Sequence, residues 1–90
     1  MTVEAKITKI FDDDKPGKAY AKVVLDDSFV IHGVRVVETE KGLFVAMPRD
    51  RRTMQDGTVR RFDVCHPVNS ETREAISQAV LAAYKDAIAE

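Results

Sequence analysis

The chain has 90 residues, enough for one domain, with 44% apolar residues and a net charge of −1. Its single cysteine, Cys65, excludes an intrachain disulfide and any multi-cysteine metal site. The N-terminal MTVEAKITKI has no apolar stretch of signal-peptide length, and no apolar run approaches the roughly 20 residues of a membrane span, so a soluble, cytoplasmic chain without membrane insertion is expected.

Residues 3–11 alternate apolar and charged side chains and predict a strand. DDDKPGK at 12–18 reads as a polar turn. Its three aspartates lack the ligand spacing and glycine of a calcium loop, so solvated turn chemistry is expected there. A second strand follows at 19–25, then a tight connection at Asp26-Asp27 and a third strand at 28–37. Gly33 inside that third run suggests a bulge or a close backbone approach. ETEKG at 38–42 is a turn, and GLFVAMP at 42–48 is a short buried strand ended by Pro48. Residues 49–58 read as a polar loop with Asp56-Gly57 at its exit, and 59–65 as a fifth strand.

Pro67 stops that strand, and Asn69 or Ser70 offers an N-cap oxygen. Glu71 suits the positive end of a helix dipole. Ile76, Ala79, Val80, Ala83, Tyr84, Ala87 and Ile88 then form one apolar stripe on a helix from about 70 to 89. The expected fold is α+β: a small antiparallel sheet of about five strands with a C-terminal helix on one face, all one domain over 1–90.

Simple alternation puts Phe29 and Ile31 on one sheet face and Val30 and Val34 on the other. It likewise sets Leu43, Val45 and Met47 against Phe44 and Ala46. Both faces are then apolar and one helix covers only one, which predicts a homodimer or another partner on the second face. A domain this short buries only about 60% of its unfolded surface, and oligomerisation is one remedy.

Charge is unevenly spread. Residues 41–61 hold six basic and two acidic side chains, against six and eight in 1–40 and two and five in 62–90. Five arginines and no lysine lie from Arg49 to Arg61. Two readings stand side by side: a solvated loop with pairs to Asp50, Asp56 and Asp63, or an anion or nucleic-acid site suited to the planar guanidinium fork. No aromatic is interleaved with the arginines, so base stacking is not suggested. Adjacent strand residues face opposite ways, so Cys65 and His66 do not make a catalytic dyad. His66 is expected to hydrogen-bond near the helix entry, Cys65 to be a small buried residue, and His32 a core or interface histidine. No phosphate-cradling glycine loop, Ser-His-Asp set or cofactor motif is present.

Phe29-Val30-Ile31-His32, Arg35-Val36, the run Gly42 to Pro48, His66-Pro67-Val68-Asn69-Ser70 and Thr72-Arg73 together resemble, in order, the SpoVG family of bacterial septation and sporulation regulators. The resemblance runs from about residue 3 to about 84 and implies a small cytosolic dimer with no enzyme activity and no cofactor. It implies binding to DNA and possibly RNA, or, alternatively, a protein-interaction role with division-machinery proteins in septum formation without direct nucleic-acid contact. The nucleic-acid-binding positions it implies are Arg49, Arg51, Arg52 and Arg73.

Overall fold

The structure is a computed structural model and describes residues 1–11 and 17–89. Four strands, β1 (Val3–Ile10), β2 (Gly17–Leu25), β3 (Phe29–Thr39) and β4 (Gly42–Ala46), form an antiparallel meander in that order. A separate two-stranded ribbon, β5 (Arg49–Thr53) and β6 (Val59–Asp63), follows, and then the helix α1 (Ser70–Ile88). The α+β class and the C-terminal helix agree with the sequence reading. Among the described residues the strands number six in two sheets rather than about five in one, because the expected polar loop at 49–58 is half strand. Of the polar turn expected at 12–18, residues 12–16 lie outside the described residues, and Gly17 and Lys18 belong to β2.

The helix packs on the face that carries Ala19, Ala21 and Val23 of β2 and Val34 and Val36 of β3. The helix backbone runs closest to the edge strand β1. Its buried residues Ile76, Val80 and Tyr84 close the core with Val45 and Met47, while Val3, Ala5, Ile7, Ile31 and Leu43 pack at its margin. Ile88, at the end of the expected stripe, is exposed. Asn69 caps the helix: in extended backbone (φ −141°, ψ 162°) its side-chain oxygen accepts the Thr72 N–H at 2.7 Å.

The third strand departs from simple alternation. Val23 pairs with Ile31 and Ala21 with Val34, so Lys22 of β2 opposes two residues of β3, His32 and Gly33, and the register shifts there. Gly33, at φ +81°, supplies the left-handed backbone that this bulge uses. Ile31 and Val34 therefore both face the helix, which corrects the alternation that set Val34 against Ile31. The bulge turns Arg35 to the outer face.

Positive φ recurs at the turns, including Gly42 (114°) between β3 and β4. Asp26 (51°) and Asp27 (54°) occupy the central positions of the β2–β3 hairpin, a type I′ arrangement closed by the Ser28 N–H to the Leu25 carbonyl at 3.0 Å. In the ribbon, Gly57 (φ 89°) donates to the Met54 carbonyl at 3.0 Å and Met54 to Thr58 at 2.7 Å. This is a type I turn followed by a glycine bulge, a usual solution for a three-residue hairpin loop.

Candidate nucleic-acid interface

The ribbon leaves the main sheet at Met47, which is buried, and Pro48, which cannot donate to a ladder. It returns at Val64, whose N–H donates to the Pro48 carbonyl at 2.8 Å. Among the described residues, β5 and β6 have no close backbone contact with the sheet or the helix. The molecule is correspondingly elongated. Its radius of gyration is 14.1 Å and its longest extent 45 Å, against about 12 Å for the radius of a compact chain of this length.

The register sets where each arginine points. Arg49 faces Asp63, Arg51 faces Arg61 and Arg52 faces Arg60. Successive residues alternate, so Arg49, Arg51 and Arg61 share one face of the ribbon and Arg52 and Arg60 the other. Arg49 is held by Asp63, Nε to Oδ1 at 3.1 Å. Arg52 lies over the Phe62 ring, 5.8 Å from its centroid. Arg51, Arg52, Arg60 and Arg61 are exposed and have no ion pair among the described residues. Two like-charged pairs thus stand directly opposite each other, an unfavourable arrangement in a free hairpin.

Between the ribbon and the outer face of the sheet lies an open cleft of about 880 Å³. Arg49, Arg51 and Arg61 line it from the ribbon, and Tyr20, His32 and Arg35 from the sheet. Gly33 meets Pro48 at its corner, where an added Cβ would touch the proline ring at 3.7 Å. Asp50 is the one carboxylate among the described lining residues. Its Oδ1 accepts the Arg51 N–H at 2.8 Å.

Of the four arginines implied by sequence, the fold brings Arg49 and Arg51 into the cleft. Arg52 lies on the opposite ribbon face, and Arg73 is exposed in the first turn of α1, which the ribbon does not approach among the described residues. Arg35 and Arg61 join the cleft. Tyr20 and His32 add the aromatic groups that the local sequence lacks, because they come from β2 and β3 rather than from the arginine run. His32 is thus exposed, not a core residue. Cys65 is half-buried rather than buried. His66 Nδ1 lies 3.0 Å from the Pro67 carbonyl, the hydrogen bond expected near the helix entry.

At the ribbon tip Thr58 donates to Asp56 Oδ1 through its hydroxyl at 2.6 Å and its N–H at 3.0 Å. Those bonds, the hydroxyl's foremost, hold the Asp56 carboxyl below its ordinary range. No helix among the described residues is long and apolar enough to cross a membrane.

The family model for SpoVG matches residues 1–86. A septation protein SpoVG of Heliobacterium modesticaldum is 53% identical over 90 residues, covering 99% of this chain and 96% of that protein. Its namesake in Desulforudis audaxviator is 46% identical, covering 91% and 88%. That of Agathobacter rectalis is 44% identical, covering 94% and 92%. Extending over nearly the full length of both partners in each comparison, these matches establish that the chain belongs to the SpoVG family.

Proposed function

We propose that this chain is a dimeric, non-catalytic regulator that binds DNA and RNA and acts in septation and sporulation gene control. The observation that carries the reading is the projecting ribbon, whose Arg51, Arg52, Arg60 and Arg61 are exposed and without ion pairs among the described residues. A surface that keeps opposed guanidiniums unneutralised is built to receive anions, and a polyanion bound there releases condensed counterions, which favours association. About two phosphates per protomer are contacted, through Arg49, Arg51 or Arg52 on the ribbon or Arg73 at the helix start.

Dimerisation rests on apolar side chains without cover. Phe62 is exposed on the ribbon face turned away from the cleft, and Val64 and Val68 are exposed between the ribbon and the helix. An isolated two-stranded ribbon is marginal in water, and a second protomer stabilises it. Sedimentation at micromolar concentration should give twice the 10.1 kDa chain mass. A monomer refutes that part of the proposal.

The test of nucleic-acid binding is a salt titration. If each protomer neutralises about two phosphates, a dimer on duplex DNA has a slope of log K against log salt near −3.6, at about −0.9 per phosphate. Arg51→Gln with Arg52→Gln flattens the slope by about 0.9 for each phosphate left unneutralised. Unchanged binding in a folded double variant removes the ribbon as the site. The second reading, a partner of division-machinery proteins, is favoured by the exposed Met54, Val59 and Phe62 on the same ribbon and by the relatives' names. An apolar protein interface of that kind is nearly independent of salt.

A further inference from the structure

The two walls of the cleft differ in chemistry, and together they suit one form of nucleic acid better than another. The ribbon wall presents Arg51 and Arg61, and the sheet wall presents Arg35, none with an ion pair among the described residues. The sheet wall also presents two rings. Tyr20 is held edge-to-face by Phe11, with centroids 5.1 Å apart and planes at 76°, yet it remains 39% exposed. His32 is exposed and has no hydrogen-bond partner among the described residues. A ring already fixed in place loses little freedom when a second flat group stacks on it.

We propose that this cleft binds an unpaired nucleic-acid strand, with Arg35, Arg51 and Arg61 on its phosphates and Tyr20 and His32 beneath its bases. The proposal rests on the nucleic-acid reading above and narrows it to one strand form and one place. Size supports it: the volume of about 880 Å³ lies in the range of pockets that enclose small ligands, roughly 300–1,000 Å³. It admits a few nucleotides of one strand. Accessibility supports it too. A paired base shows a groove only its edge, and only an unpaired base offers its face to a ring. Guanidiniums on both walls and rings on the sheet wall give a single strand phosphate partners on either side of a stacking surface.

The experiment measures binding of the full chain to a labelled single strand of about 12 thymidines or uridines and to a duplex of the same length. Tyr20→Ala should weaken single-strand binding by about 5- to 100-fold, the usual worth of one stacked base, with less than a twofold change on the duplex. Tyr20→Phe, which restores the ring, should recover the single-strand affinity. Arg35→Gln should flatten the single-strand salt slope by about 0.7, one phosphate's share. A 5-iodouracil strand should crosslink to the peptide carrying Tyr20. Melting temperatures within a few degrees of the parent establish that the variants are folded. Duplex binding without single-strand binding overturns the cleft proposal and leaves the regulator reading standing. So does parental single-strand affinity in folded Tyr20→Ala and Arg35→Gln, or a mononucleotide that binds as tightly as the strand. Failure to bind either form at low salt overturns both.

Discussion

The opposed arginines of the ribbon make stability and binding pull in opposite directions, and Arg61→Glu exposes that conflict. Arg61 sits directly across from Arg51, and both are exposed. Two unit charges about 6 Å apart in water repel by roughly 0.7 kcal/mol. The substitution removes that repulsion and replaces it with attraction of similar size. After screening, the net gain to the ribbon is about 1 kcal/mol, within the range measured for cross-strand pairs. Amide hydrogen exchange in β5 and β6 should therefore slow about fivefold at low salt, with no change in the four-stranded sheet. In 1 M salt, where the Debye length is about 3 Å, most of the difference should vanish. Nucleic-acid affinity should fall in the same variant, because a cation of the cleft has become an anion. Ribbon amides that exchange at the parental rate, or faster, would refute the argument that like-charge opposition strains the free hairpin.

Other outcomes follow from the core, the turns and the tip. Val80, fully enclosed among Val23, Val34 and Val36, should cost about 2 kcal/mol on change to alanine from two removed methyl groups and the cavity left behind. That predicts a melting temperature lower by roughly 8–16 °C in a domain of this size, read by calorimetry. Asp27→Gly should raise the melting temperature by a few degrees, since glycine adopts φ 54° without the steric cost that a side chain pays there. Asp56 has a folded pKa below its ordinary value of 3.8, so its carboxylate favours the folded tip above that value. The contribution is lost as pH falls through the depressed folded pKa. Proton NMR of the Thr58 amide should show the tip unchanged at neutral pH and loosening only in acid, and Thr58→Val, which removes the hydroxyl but keeps the N–H donor, should weaken that acid step and move it to higher pH.

The parts of the fold written in local periodicity are legible in the sequence. The helix bounds, the Asn69 alternative for its cap and the first four strands all follow from spacing and turn residues. The ribbon's first strand does not. Arg49, Asp50, Arg51, Arg52 and Thr53 are all exposed, so neither face carries an apolar signal and the segment reads as loop. It is a strand because β6 pairs with it and the Met54–Thr58 turn closes the pair. The phase of β3 is also out of reach beyond Gly33, because a bulge can be suspected from a glycine but its residue count cannot. The site is legible by half. Arg49 and Arg51 lie in one run and stand out there, whereas Tyr20, His32 and Arg35 reach the cleft only through tertiary structure and carry no mark of it in their neighbours.

The extra residue in β3 ties the interior and the cleft to a single parity. With strict alternation continued from Ile31, the inward positions would fall at Gly33 and Arg35. The bulge at 32–33 moves Val34 and Val36 inward and Arg35 outward in one stroke. Deleting one residue there would exchange the two sets, sending a guanidinium against the helix and two valines into water. Neither surface can therefore drift in register without the other, and chain length at this one position is constrained from both sides of the sheet.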